Sequence, residues 1–279
     1  MRTSRGSRSG AWFAYAVLCV ATLVALFPVF WTLSTSIKDR RDTFVNPPKI
    51  VNFDPTTKNY RLLFGNPAFV RVTLNTFLVT AGATALSVSV GSLAAYALVR
   101  HRRFPGRRSL EATMVIARAV PGVVLIVPLF EIVTRLRVYD DLWALIVIYA
   151  AVNLPFAVWL MTSFFQQVPF ELEESALVDG AGRLQVLRMI VLPLAAPGLA
   201  ATAIFVALLC WNEFLIPALL AGERSKTLPV FISGFISARN LDWGPMAAAS
   251  SLAIVPIALI TVVLQRRLVA GLSAGAVKE

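Results

Sequence analysis

The sequence predicts an all-α integral membrane protein with six transmembrane helices. Three observations carry that prediction. Of its 279 residues 57% are hydrophobic and the mean hydropathy is +0.73, well above the roughly half-apolar composition of a soluble domain. The apolar residues gather in runs of about 20, the length at which a helix crosses a hydrocarbon core about 30 Å thick. The polar residues fall in short segments between those runs, and one of these segments, Pro169 to Pro193, is acidic and helical in period.

A net charge of +11 raises the question of a nucleic-acid partner. The basic residues, however, stand in short clusters between apolar runs and form no continuous face. Anionic lipid at the bilayer surface and the orientation signal account for them, and no nucleic acid is expected. Cys19 and Cys210 lie inside apolar runs without ligand-type neighbours. Both are expected to be small core residues, not a disulfide or a metal site.

Residues 1–10 form a short basic segment with Arg2, Arg5 and Arg8. Ala11 to about Leu33 is the first span, too long for a signal-peptide core and without a small-x-small cleavage site. The following stretch to Arg71 holds Pro47-Pro48, Pro55 and Asn66-Pro67, so it is expected to be an outer loop with one short helix near Tyr60 to Phe64. Residues 11–71 make one region and residues 72–265 the core. Val72 to Val99 is the second span, and its many Gly, Ala, Ser and Thr residues suit close helix packing in lipid. Arg100 to Arg108, RHRRFPGRR, is a basic turn in which His101 is expected to be a solvated loop residue.

Leu110 to Thr134 is a third span broken by Pro121-Gly122 and Pro128. Its ionisable residues have structural explanations: Glu111 and Arg118 lie near the arginine-rich end, and Glu131 has Arg135 one helical turn away. Leu142 to Ser163 is the fourth span. Asn153 and Pro155 coincide near its middle, where a proline frees a carbonyl of the preceding turn and a solute path could run. Leu194 to Leu220 is the fifth, with Trp211, Asn212 and Glu213. Glu213 has no cation within a turn on its own helix, so it needs a partner from elsewhere or water. Ala221 to Gly244 is an outer loop and Pro245 to Leu264 the sixth span. Residues 266–279 are expected to be a Gly/Ala-rich cytoplasmic tail.

Pro169 to Pro193 reads as two short amphipathic helices about a glycine turn. Glu171, Glu173 and Glu174 stand near the start of the first, where the helix dipole favours anions. Asp179-Gly180-Ala181-Gly182 breaks it, and the helical period resumes through Leu184, Leu187, Arg188 and Val191 to a stop at Pro193.

The spacing Glu174-Ser175-Ala176, then Gly180, then Ile190 and Leu192-Pro193 resembles the "EAA" loop of the membrane subunits of bacterial ABC importers, with Ser175 where the family usually has Ala. Ala94-Ala95-Tyr96-Ala97, Asn153-Leu154-Pro155-Phe156, Trp211-Asn212-Glu213-Phe214 and the tail Gly271 to Lys278 are similar to the carbohydrate-uptake, maltose-type branch, in the family's order along the chain. The resemblance implies a MetI-like, type I importer bundle in the bacterial cytoplasmic membrane with both termini inside. It implies a second permease subunit, an ATP-binding cassette ATPase dimer and an extracytoplasmic solute-binding protein as partners.

ATP and Mg would then be held by the ATPase, and no cofactor is expected on this chain. Glu173, Glu174, Ser175, Ala176, Asp179, Gly180, Ala181, Ile190, Leu192 and Pro193 would form the surface that receives the ATPase's movement. In that surface Glu174 would contact a basic group, Ala176 would keep the face flat and Gly180 would set the turn. Asn153, Pro155, Trp211, Asn212 and Glu213 would line the solute path. The family's loop is cytoplasmic, which settles an orientation that the nearly even spread of basic residues leaves open.

The residues alone exclude several chemistries. The chain lacks a Gly-x4-Gly-Lys-Ser/Thr phosphate loop, a histidine pair, a cysteine cluster and a Gly-x-Ser-x-Gly elbow. No enzyme activity is expected, and energy would come from another chain. The competing class is a secondary transporter or channel driven by an ion gradient, which predicts an inverted repeat and acidic residues at mid-depth. Only Glu213 suits the second requirement, and the sequence shows no repeat.

Overall fold

The computed structural model describes residues 7–101, 105–236 and 242–275. Arg2, Arg5, Arg102, Arg103, Arg239 and the end of the tail from Ala276 lie outside the described residues. The chain divides into two units, one formed by residues 1–67 and 232–255 and the other by residues 68–231 and 256–279.

In the first unit, α1 (Ser7–Ser36) is the expected first span, and α2 (Arg40–Thr43) and α3 (Lys58–Phe64) follow it. α1 leaves Trp12, Phe13, Tyr15 and Leu23 exposed along its length. Cys19 is exposed as well, which corrects its assignment to the core: the run is apolar all round, so composition could not say which positions would be covered. The polar segment after α1 is more ordered than a turn-rich loop requires. Asn59 of α3 donates through Nδ2 to the carbonyls of Ser36 and Lys38, both at 2.9 Å, and Tyr60 meets the Ser36 hydroxyl at 2.8 Å. Lys38 is 2% exposed, donates to the Lys49 carbonyl at 2.6 Å and lies over the rings of Trp31 and Phe53. Burial lowers its pKa from the ordinary lysine value, against the opposing pull of the Asp42 carboxylate.

The second unit holds α4 (Pro67–Arg100), α5 (Arg107–Ala119), α6 (Gly122–Arg135) and α7 (Leu142–Phe165). After them come α8 (Phe170–Val178) and α9 (Arg183–Val186), and then a π-helical turn (Leu187–Val191) leads into α10 (Leu192–Leu194) and α11 (Ala196–Trp211). α12 (Leu215–Leu220) and α13 (Leu228–Ser233) precede the last helix, α14 (Trp243–Gly275), whose residues are shared between the units. α14 runs on through Gly275, so most of the expected tail is helix.

Among the described residues four helices are long and apolar enough to cross a bilayer: Gly10–Ser36, Pro67–Arg100, Leu142–Phe165 and Trp243–Val262. Counting each of two bent pairs as a span gives six. α5 and α6 meet at 100°, at the predicted Pro121-Gly122 break. The second bend, 78°, separates Arg183–Leu194 from α11. It falls at Ala195 and not at the predicted stop, Pro193. Pro193 and Pro197 each lack an N–H, so the ladder loses two bonds around Ala195, and the π turn ahead of Pro193 takes up the mismatch.

The small residues of α4 are used as packing theory expects. A Cβ on Gly91 would sit 2.9 Å from the Ala157 Cβ on α7, and one on Gly198 of α11 would overlap the Phe164 ring. Two apolar clusters fill the spaces between these helices. One joins Val79, Ala83, Leu145, Tyr149, Val206 and Cys210; the other joins Ala95, Val158, Met161, Phe165, Val186 and Val191. Cys210 is thus a core residue, as expected.

Candidate functional site

Among the described residues one ion pair ties α8 to α4. Arg100 closes α4 with 9% of its side chain exposed, and Glu173 of α8 has 2%. Arg100 Nε donates to Glu173 Oε1 at 2.6 Å, Nη2 lies 2.5 Å from the same oxygen, and the Tyr96 hydroxyl donates to Oε2 at 2.9 Å. Arg100 Nη2 also donates to the Val168 carbonyl at 3.0 Å, beyond the end of α7, and its guanidinium lies over the Phe170 ring. One cation therefore neutralises a buried carboxylate and satisfies an end carbonyl that no helical donor reaches. Each group is costly to bury alone and stable only in the other's presence.

This geometry separates Glu173 from the residues it was expected to act with. Its carboxylate is enclosed by Tyr96 and Arg100 and offers nothing to an outside partner. Sequence position could not show this, because Arg100 lies far away in the chain and neighbouring glutamates have the same local chemistry.

The other members of the set stay on or near the surface. Glu174, Ser175, Asp179, Gly180 and Pro193 are exposed, while Ala176, Ala181, Ile190 and Leu192 are half-buried against the second apolar cluster. Gly180 has φ +87°, the left-handed conformation expected of the turn, and a Cβ there would meet nothing within 4 Å. Ala181 N donates to the Ala176 carbonyl at 3.0 Å and closes the end of α8. Around these residues Val178, Leu184 and Met189 are 87%, 63% and 70% exposed. Acidic and large apolar side chains are thus both uncovered along α8, the turn and the helix after it. His101 is exposed, as expected, with Nε2 3.1 Å from Arg183 Nη1.

The residues expected to line a solute path are not gathered in one cavity. Asn153 donates to the Tyr149 carbonyl at 2.9 Å and approaches the Cys210 sulfur at 3.5 Å, so it bridges α7 to α11. Trp211 is buried edge-on against Phe77, with ring centroids 4.8 Å apart. Asn212 is exposed and donates to the Leu208 carbonyl at 2.8 Å. Glu213 finds its partner in backbone: Oε1 accepts from Leu215 N at 2.9 Å and Ile216 N at 3.1 Å, where the start of α12 leaves N–H groups free.

Pro155 lines a cavity of about 610 Å3 between α5 and α7 that also takes in Glu111, Arg118, Trp159 and Gln166 but none of the other four. Sequence reasoning placed Glu111 and Arg118 as structural residues. Half of that assignment is visible, since Glu111 pairs with Arg107 at 2.8 Å, and Glu131 pairs with Arg135 at 2.5 Å as the spacing predicted. The missed signal was a cation at mid-span with no acidic residue one turn away on its helix.

At the ends of α6 and α12, Asp140 gathers the loop beyond α12. Its carboxylate accepts from the backbone N–H groups of Gly222, Arg224 and Ser225 at 2.8 to 3.1 Å, and from the Ser225 hydroxyl at 2.7 Å. Burial would raise its pKa, but these donors outweigh burial and hold it below the ordinary aspartate value. Asn75 Nδ2 donates to the carbonyls of Arg224 and Lys226, and the Thr76 hydroxyl accepts from Leu228 N at 2.8 Å.

The chain was compared with known proteins. Residues 87–274 match the family model described as "Binding-protein-dependent transport system inner membrane component". A probable ABC transporter permease protein of Sinorhizobium fredii is 37% identical over 99% of this chain and 98% of its own length. The trehalose transport system permease protein SugB of Mycobacterium tuberculosis is 35% identical over 91% of this chain and 93% of its own. Among solved structures, a chain of a bacterial ABC transporter that imports the acidic polysaccharide alginate superposes with a TM-score of 0.80 over 95% of this chain and 99% of that one, at 23% identity. That likeness establishes the fold, and the sequence matches establish the lineage: this chain belongs to the family of binding-protein-dependent transport system inner membrane components, the permease subunits of ABC importers.

Proposed function

We propose that this permease subunit imports a sugar, forming the path across the membrane with a second permease subunit and taking its movement from an ATPase dimer that docks on α8 and the Gly180 turn. The observation that carries the coupling half is the two-sided character of α8. One side is tied by Glu173 to Arg100 at the end of α4, and the other offers Glu174, Ser175 and Asp179 among uncovered apolar residues. A helix held that way passes a push on its outer side to α4 with little slack. Glu174 makes the charge-assisted contact with a basic group of the ATPase. Ser175 adds a hydroxyl, already donated to the Leu172 carbonyl at 3.1 Å, and so leaves the face nearly flat.

The sugar half is supported by the end-to-end similarity to a permease named for trehalose transport. A solute-binding protein delivers the sugar on the outer side, and both termini of this chain face the cytoplasm with α8.

Co-expression with the ATPase and the second permease, followed by purification on a tag on this chain, tests the reading. The ATPase is expected to co-purify, and the loaded binding protein to raise ATP hydrolysis several-fold. Glu174→Arg is expected to reduce co-purification at least tenfold. Undiminished co-purification and uptake in that variant would show that α8 does not couple.

A further inference from the structure

We infer that the groove between α5 and α7 is a binding site for an uncharged sugar ring of the transported solute. This deepens the sugar-import reading and rests on it. The groove encloses about 610 Å3, inside the range of roughly 300–1,000 Å3 usual for small-molecule sites. Its polar groups are more informative than its size.

The Arg118 guanidinium carbon lies 4.6 Å from the Phe156 ring centroid and 5.5 Å from that of Trp159, both on α7. This contact with the two rings holds the cation in the groove, and among the described residues its N–H groups have no hydrogen-bond acceptor and no carboxylate pairs with it. The Gln166 carboxamide, at the other end of the lining, has no side-chain hydrogen bond among the described residues and presents both a donor and an acceptor. Glu111 gives one oxygen to Arg107 and supplies acceptor capacity from the α5 side. Ser163 donates its hydroxyl to the Trp159 carbonyl, so it offers the groove lone pairs only. Trp159 remains 53% exposed, enough indole for the apolar face of a ring to rest on.

Charge selects the occupant. An anion drawn to Arg118 meets Glu111 in the same lining, and a cation drawn to Glu111 meets Arg118. A hydroxyl both donates and accepts, so a ring carrying several of them satisfies guanidinium, carboxylate and carboxamide together without placing a charge beside either ion.

The test uses the complete transporter in lipid nanodiscs, with Cys19→Ser and Ser163→Cys as a reporter in the groove. A water-soluble methanethiosulfonate is applied with and without trehalose, maltose or diacetylchitobiose, and uptake of the same sugars is measured with the unsubstituted complex. An imported sugar is expected to slow modification at least fivefold. Arg118→Lys and Gln166→Leu are each expected to raise the half-protecting concentration at least tenfold. If an imported sugar leaves the modification rate unchanged, or neither substitution moves the midpoint, the groove is not the site while sugar import stands. If the unsubstituted complex imports none of the three, sugar import fails and the groove assignment with it. Slowing that follows replacement of phosphatidylcholine by phosphatidylglycerol, with no response to sugar, would make the groove a lipid-headgroup site and overturn the inference.

Discussion

Arg100 and Glu173 form a buried ion pair, 2.5 Å apart at the closest, that joins the end of α4 to the start of α8. Removing one partner from such a pair costs about 3–5 kcal/mol, because the other is left charged and enclosed, whereas replacing both by apolar residues is often neutral. Glu173→Ala and Arg100→Met are therefore each expected to destabilise the chain by about 3 kcal/mol, and Arg100→Met with Glu173→Leu to recover most of it. Thermal unfolding of the four proteins in detergent gives the coupling energy. A double variant that is stable but uncoupled, hydrolysing ATP without uptake, would place the pair in transmission as well as in folding.

The Gly180 turn isolates backbone conformation from packing. Its φ is +87° and the space around it is open, so any penalty for a side chain is torsional, about 1–2 kcal/mol for a residue forced into the left-handed region and more for a β-branched one. Gly180→Ala is expected to fold with a slightly lowered Tm, and Gly180→Val to lower uptake at least tenfold with subunit assembly retained. Uptake assays alongside co-purification check both, and normal uptake in Gly180→Val would remove the turn from the coupling role.

Asp140 gives a prediction in pH. Its native pKa is held below the ordinary 3.8 by donors from Gly222, Arg224 and Ser225. The native state thus binds this proton less readily than the unfolded chain does. The stabilisation is complete above the unfolded value and is lost as pH falls below 3.8 towards the depressed native pKa. Asp140→Asn is expected to cost about 1–2 kcal/mol at neutral pH and to flatten the acid limb of the stability curve. Unfolding midpoints measured from neutral to acid pH for both proteins supply the comparison.

The spans were legible because lipid makes a simple demand: about 20 apolar residues whose backbone satisfies itself. Breaks written as Pro121-Gly122 were legible too, and so was the Gly180 turn. Pairings across the chain were not. Nothing local marks Glu173 as inward and Glu174 as outward, and only the α4 terminus packed beside α8 makes the difference. Glu213 was judged by searching for a cation, but a carboxylate is also satisfied by backbone N–H at a helix start. The bend at Ala195 escaped because two prolines share it, and either one alone suggests the wrong residue. For the groove, the place of Arg118 near the arginine-rich end suggests only a structural role, and the approach of Phe156 and Trp159 is what reveals its aromatic shelf.

Gly91 and Gly198 bring α4 and α11 against α7 at Ala157 and Phe164, where not even a methyl group fits between. At Gly91 the neighbours include α7 backbone at Ala157 and Val158, and at Gly198 the neighbour is the Phe164 ring, so neither crossing has room for a further side chain. α4, α7 and α11 are therefore packed at close range, and under the proposed coupling a displacement delivered at Arg100 would be expected to move the three together. The breaks in this unit lie elsewhere, at the two bent helix pairs.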